Sequence, residues 1–464
     1  MRTRIARFVA VSVAALAATG SVFAVPVQKQ PPPANPAASP LPALKYRDRT
    51  LPNGLRVLSS ENHRTPTVAI YVFYRVGGKD DPPGRSGFAH LFEHLMFKTT
   101  RNMVSEQLDR LTEDVGGQNN AYTADDVTVY HETVPSNHLE RLLWAEAERM
   151  SNLNVDEANF KSERAVVQEE FRQSYSANPY GDLYLQTTIQ AFSTHPYRRP
   201  VIGNIAELAA ATVEDVRAFH KTYYRPDNAV LVVVGDFDTA QFDGWVDKYF
   251  AVVPKPESAV PRVTVTEPPR TKEKRVALTA PDVPLPAFSA TYLMPGAVDK
   301  DTPALDVLAN ILGSGESSRL YRSLVYQKQI ASDVSVASDS KQDAGIFTLV
   351  VTAAGGKTLD ALEPAALAEI DKLRGTPVTA AELAKAKNNL TDDIVRTRET
   401  VDGTANYLGL ATLVGNPERI NTDLAAINAV TAADVLRVAK KYLAPTNRTV
   451  IRYTSKKTTE GTAQ

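Results

Sequence analysis

The sequence has no cysteine. Disulfides, thiolate nucleophiles and cysteine-type zinc sites are thereby excluded, and any metal must be held by imidazole and carboxylate groups. An excess of charge of either sign is also missing: 52 Lys and Arg stand against 53 Asp and Glu, a formal net charge of -1. That balance gives no reason to expect nucleic acid or an anionic membrane as partner. Beyond the first 24 residues no apolar stretch approaches the length of a membrane span. Histidine is scarce, seven residues in 464, so each one has to be placed. What remains is the composition of a globular chain, 43% hydrophobic and 23% charged, too long for one ordinary core. Two or three domains are expected.

Residues 1–24 read as a secretory signal. Arg2, Arg4 and Arg7 precede the apolar, small-residue run from Phe8 to Val22, which ends in Val22-Phe23-Ala24. An uncleaved anchor is the alternative, but the run is short and is broken by Ser12, Thr19, Gly20 and Ser21. Cleavage after Ala24 is expected, giving a periplasmic or secreted protein with no membrane span left. Residues 25–44 hold seven prolines and read as an extended tether.

Folding signals then follow in quick order. Asn53-Gly54 marks a turn between two short strands, and Thr67 to Val76 is a β-branched and aromatic strand. Ser105 to Val115 reads as a helix, Asn120 to Val134 as a strand pair, and His138 to Asn152 and Asp156 to Arg172 as helices. Ala229 to Gly235 reads as a short buried strand. Five prolines among charges at 251–275 place a linker there, between a first domain at 45–250 and a second at 276–456, with 457–464 as a tail.

A repeat supports that division. Adding 219 lays Thr212-Val213-Glu214-Asp215-Val216 on Thr431-Ala432-Ala433-Asp434-Val435, and Tyr223, Pro226 and Asn228 on Tyr442, Pro445 and Asn447. Both copies read as a capped helix, a proline turn and a strand, as two related domains would.

The chemistry gathers in Gly87-Phe88-Ala89-His90-Leu91-Phe92-Glu93-His94-Leu95-Met96-Phe97. His90 and His94 are neighbours one helical turn apart, with Glu93 close to both. The rest of the segment is apolar nearly all round and therefore buried, and burying three ionisable groups is costly without compensation. One reading is a pair of hydrogen-bonded core histidines with Glu93 as partner. The other is a metal held by His-x-x-x-His. A hydrolytic zinc site needs a third ligand. His63, His131, His138, His195 and His220 lie in segments that suit a solvated or hydrogen-bonded histidine. Glu163 and Glu170, seven residues apart, share one face of a downstream helix, with Glu169 about 100° round from Glu170. By geometry alone a solvated acidic face is the commoner outcome there. In the 219 register Ala309 and Gly313 stand opposite His90 and His94, and Asn389 opposite Glu170, so the second half lacks the metal-type residues.

His90-Leu91-Phe92-Glu93-His94 followed by Glu163-Arg164-Ala165-Val166-Val167-Gln168-Glu169-Glu170 resembles the inverted zinc-motif peptidases of the pitrilysin and mitochondrial-processing-peptidase family. Leu51-Pro52-Asn53-Gly54-Leu55, Gly116-Gly117 with Asn120-Ala121-Tyr122-Thr123, and Pro200-Val201-Ile202-Gly203 extend the resemblance, which covers the chain from about Leu44 to Tyr453. It implies an α+β fold of two homologous α/β-sandwich domains, each a mostly antiparallel sheet with helices packed on it. It implies a zinc endopeptidase with one Zn²⁺ per chain, held by His90, His94 and Glu170. Glu93 would act as the base, with Glu163 supporting the ligands from behind. It also implies that Asn120 and Ala121 offer a strand edge to an extended peptide substrate, against the plainer reading of a core hairpin.

The resemblance also shows a gap. Complete relatives carry an arginine and a tyrosine after a Ser-Arg-Leu segment, to stabilise the oxyanion. Here Ser318-Arg319-Leu320 is followed by Val325 and Ser332 at those two places, and Arg319 and Tyr326 keep the spacing but sit six residues early. The resemblance therefore implies a zinc-bearing half that forms a heterodimer with a homologous subunit supplying the pair. A homodimer is the second reading. A non-catalytic scaffold subunit is the contrasting function, but such a subunit has no need to retain His90, Glu93, His94 and Glu170 together.

Overall fold

The computed structural model describes residues 41–456. The signal segment, its cleavage position after Ala24, most of the tether and the tail from 457 lie outside the described residues.

The β-branched runs of the first half assemble into a six-stranded sheet. Its strands are β1 (Arg47–Thr50), β2 (Arg56–Glu61), β3 (Thr67–Tyr74), β4 (Gln118–Thr123), β5 (Thr128–Pro135) and β6 (Ala229–Gly235), in the order β1-β2-β6-β3-β5-β4. Only β2 and β6 run parallel; the other neighbours are antiparallel. Every residue of β6 is buried, which is why it reads as a continuous apolar run rather than an alternating one. The second half forms β7 (Lys274–Ala280), β8 (Ala287–Pro295), β9 (Ala331–Ser340), β10 (Ala344–Ala353) and β11 (Arg448–Ser455), ordered β7-β11-β8-β10-β9. The expectation of two mostly antiparallel sheets with helices packed on them is met.

Helices α1 (Phe88–Leu95), α2 (Gln107–Glu113), α3 (Leu139–Asn152), α4 (Glu157–Phe171), α5 (Gly181–Ala191), α6 (Ile205–Ala209), α7 (Val213–Tyr223) and α8 (Thr239–Tyr249) belong to the first half. The second contributes α9 (Thr302–Gly313), α10 (Leu359–Gly375), α11 (Ala380–Glu399), α12 (Val401–Leu413), α13 (Arg419–Ala429) and α14 (Ala432–Tyr442). The 219 offset carries β2, β6, β3, β5 and β4 onto β7, β11, β8, β10 and β9, and α7 onto α14 end to end. Both of those helices start in a capping box, Thr212 with Asp215 and Thr431 with Asp434. The helix expected from Ser105 is shorter, because Glu106 is left-handed and Gln107 Oε1 accepts from Val104 N, closing a turn.

The halves exchange a helix. One face of the first sheet buries α1, α3 and α7 in the first core. The other face, with Leu58, Ala69, Tyr71, Phe73 and Val232, is covered by Ala405 and Leu408 of α12 from the second half. Reciprocally, Leu183 of α5 packs on Ala287, Ile451 and Tyr453 of the second sheet. α5 and α12 occupy equivalent places in the repeat, so each half lends the other the same element. From Ala43 onward the chain accordingly forms one compact unit.

Two expectations follow. A Cβ at Gly409 of α12 would lie 2.0 Å from the fully buried Phe73 ring. Gly409→Val should cost about 1–3 kcal/mol in urea unfolding, as overpacking does. A cavity of about 510 Å³ lies between the halves, lined in part by Asp306, Tyr407 and Arg419. Burial pushes the Asp306 carboxyl up to about 6, against the pull of Ser338 and Arg419. Since an unfolded aspartate titrates near 3.9, its contribution to stability is full below about pH 4 and is lost as pH rises through 6. Asp306→Asn should be nearly neutral at pH 4 and raise stability by about 3 kcal/mol at pH 8.

Candidate metal centre

Eight residues are too few for a helix to stand alone in water, so α1 is held from outside. Its N-cap, Gly87, has φ 99°, and a Cβ there would meet Ile202 O at 2.8 Å, so the position demands glycine. The cap itself comes from Asp81, whose Oδ2 accepts from Gly87 N at 2.6 Å and Oδ1 from Ala89 N at 2.9 Å. Burial pushes the Asp81 carboxyl up to about 7, against those two backbone donors. Arg199 ties the segment down by donating to Asp81 O and Lys79 O. On the sheet side the Tyr130 hydroxyl donates to Phe92 O at 2.9 Å. Phe88, Leu91, Phe92 and Leu95 fill the first core.

That anchoring leaves His90 and His94 on one side, their rings 5.0 Å apart and steeply tilted. α4 packs against α1 and brings two glutamates to them, with the buried Val167 between the pair in the core. Glu170 Oε2 lies 3.7 Å from His90 Nε2 and 3.5 Å from His94 Nε2. Glu163 Oε2 lies 3.7 Å from His94 Nδ1, and Glu163 Oε1 accepts from Lys98 Nζ at 2.8 Å.

The electrostatics follow from this packing. Burial, then the neighbouring His94, lowers the basicity of His90. Burial also opposes charge on His94, but Glu163 and Glu170 outweigh it and push His94 up to about 9. Glu170 is held below the usual carboxylate range by His94. Glu163 is lowered too, burial notwithstanding, by His94 and Lys98.

The donor set fits a metal ion. A tetrahedral zinc with ligand bonds of about 2.0–2.1 Å separates its donors by about 3.3 Å. The 3.5 and 3.7 Å separations at Glu170 Oε2 are long for hydrogen bonds and close to that edge length. Among the described residues, one group of three or more metal-type side chains brings its ligand atoms within 4.8 Å of one another: His90, His94 and Glu170.

Glu93 projects from the same helix, and its Oε2 accepts from Thr123 Oγ1 at 2.6 Å. Thr123 ends β4, an edge strand of the first sheet. Asn120 and Ala121 lie on that edge. Ala121 packs on the first core, whereas the exposed Asn120 folds back so that its Oδ1 accepts from Ala121 N at 2.9 Å. Asp81, Arg199 and Thr123 were not legible as site residues. Asp81 precedes the helix by more than any capping-box spacing, and Thr123 reaches Glu93 only through the tertiary fold.

The other histidines stand apart. His63 is tied to Asp236 and Glu61, His131 stacks on Tyr71, His138 contacts Asn137, His195 lies against Asp343, and His220 stacks on Phe92 and Tyr224. In the second half Asn389 donates to Asn310 Oδ1 at 3.0 Å, and a Cβ at Gly313 would strike Val336. Val325 packs beside the second core, and Ser332 donates to Thr352 O and Ala353 O. Arg319 makes two bonds to Glu382, and Tyr326 is exposed.

Comparisons with known proteins show what the chain is similar to. The profile described as Insulinase (Peptidase family M16) matches residues 56–204, and one described as Peptidase M16 inactive domain matches 210–390. A Helicobacter pylori protein named zinc protease PqqE is 31% identical over 88% of this chain and 92% of its own. An Arabidopsis thaliana protein named "Probable mitochondrial-processing peptidase subunit beta, mitochondrial" is 27% identical over 87% of this chain and 77% of its own. A crystal structure of a protease from Helicobacter pylori superposes with a TM-score of 0.86 at 30% identity, covering 89% of this chain and all of that one.

Zinc added to metal-free protein should raise its melting temperature, by the equivalent of about 2.7 kcal/mol at a free concentration of about a hundred times Kd. The rise should vanish in His90→Ala and in Glu170→Ala. An equal rise in all three proteins would place the metal elsewhere.

Proposed function

This chain belongs to the insulinase family of peptidases, M16, and we propose that it is a zinc-dependent endopeptidase of short or unfolded peptides. The observation that carries the proposal is the convergence of His90 Nε2, His94 Nε2 and Glu170 Oε2, with the carboxylate of Glu93 near enough to act electrostatically on both imidazoles. In this reading the three side chains hold one zinc ion. Zinc there supplies Lewis acidity, which acidifies water and polarises a scissile carbonyl.

The chain's own residues do the rest. Glu93 takes the proton of the attacking water on the oxygen that Thr123 does not engage, and hands it to the leaving amide nitrogen. Glu163 orients His94 through Nδ1 and is itself steadied by Lys98. An extended peptide pairs with the edge of β4, once Asn120 releases the backbone N–H of Ala121. Such pairing reads main chain more than side chain.

No arginine–tyrosine pair stands at Val325 and Ser332, and Arg319 is committed to Glu382. We therefore read the chain as the zinc-bearing half of a closed chamber, completed by a homologous subunit, with a homodimer as the second possibility. Residues 1–24 support export to the periplasm or beyond. The scaffold alternative gains little from the inactive-domain match, which covers 210–390 and leaves His90, Glu93, His94 and Glu170 outside it.

Glu93→Gln should keep stoichiometric zinc and lose at least about a hundredfold in peptide cleavage, measured with the candidate partner present. Full activity in that variant would remove Glu93 as the base. Cleavage by the parent chain that a chelator does not abolish would remove zinc.

A further inference from the structure

Glu93 is held by a residue that lies outside both metal-type motifs. The Thr123 hydroxyl donates to Glu93 Oε2 at 2.6 Å, a bond that engages one carboxylate oxygen and leaves the other to act. Thr123 leads directly into the β4–β5 tip, Ala124 to Val127, and that tip is pinned from two sides. From its own half, Gly78 N and Lys79 N donate to Ala124 O and Asp125 O, and Tyr197 donates to Asp126 Oδ1. A Cβ at Gly77 would lie 2.4 Å from Ala124 O, so the two segments touch backbone to backbone. From the second half, Lys341 pairs with Asp125, and Gln342 N donates to Asp126 Oδ2 at 2.8 Å. The Lys341–Asp125 pair is nearly dry, with side chains 11% and 12% exposed. Lys341 also meets Asp339 at 2.8 Å, so losing Asp125 leaves it one partner, whereas losing Lys341 strips the buried Asp125 of the cation that the second half supplies.

We infer that Thr123 is a positioning residue for Glu93, and that the second half, by clamping the β4–β5 tip through Lys341, sets where Thr123 holds it. The inference rests on reading Glu93 as the base. It gives the half without metal-type residues a share in the chemistry: it orients the base instead of binding the ion. It also links substrate to base, because the strand proposed to pair with the peptide is the strand that carries Thr123.

The test uses the zinc-loaded full chain in the assembly that cleaves an internally quenched, unstructured peptide. Thr123→Val, which keeps the shape and removes the hydroxyl, should retain zinc and KM while kcat falls about 10- to 100-fold. Thr123→Ser should restore most of kcat. A crystal structure of Thr123→Val should show the Glu93 carboxylate turned away from its parent orientation, an outcome independent of any activity. Lys341→Met should lower kcat about 10-fold alone and add little in the Thr123→Val background, as two steps of one path do. Asp125→Asn replaces it if Lys341→Met does not fold.

Parent-like kcat in Thr123→Val, or a loss that Thr123→Ser does not rescue, overturns the role of Thr123. Effects of Lys341→Met and Thr123→Val that simply multiply overturn the clamp. A parent protein that shows no zinc-dependent cleavage sinks the enzyme reading instead, and an unmoved Glu93 in the Thr123→Val crystal structure still decides this inference.

Discussion

Ionisable groups packed against a short apolar helix are the constraint from which most of this structure follows. His90, His94, Glu163 and Glu170 come together where burial works against charge on each of them. The protein offsets that cost by pairing: imidazole against carboxylate, and Lys98 against Glu163. It also spends structure to keep the helix in place. Asp81, Arg199, Gly87 and Tyr130 all serve α1, and they come from three separate stretches of chain. A constellation held this way would need to change little to take a cation, because the donors already stand near ligand spacing.

The second half makes sense in the same terms. It retains the strand order, the capping boxes and the helix positions of the first, but Ala309, Gly313 and Asn389 stand where ligands would be. What it keeps is what the first half needs. α12 covers an apolar face of the first sheet that would otherwise meet water, and the β9–β10 tip meets the β4–β5 tip beside the candidate site. Since α5 does for the second sheet what α12 does for the first, neither half has a complete core of its own. The fold is a mutual arrangement, and the metal-type residues occupy one side of it.

Much of this was legible in the residues. The spacing of His90 and His94 placed them one turn apart, the 219 offset laid a capped helix, a proline turn and a strand of one half on those of the other, and the caps at Thr212 and Thr431 set helix starts correctly. The exchange of α5 and α12 was not. The buried side of α5 is Gly181, Leu183, Thr187 and Ala191, so it presents no apolar stripe for periodicity to detect. Thr187 is instead satisfied through Ser289 of the other half. The acid–base surroundings were equally hidden, because Asp81 and Thr123 act across the fold. The choice of Glu170 over a solvated face needed the family resemblance, since helical spacing alone left it open.

Zinc-edge anomalous diffraction from crystals of the zinc-loaded protein would locate the ion. One zinc peak per chain is expected, bonded at about 2.0–2.1 Å to His90 Nε2, His94 Nε2 and a Glu170 oxygen, with Glu93 alongside and unbonded. A peak at another histidine, a coordination that excludes Glu170, or no peak in a protein that cleaves peptides would contradict it.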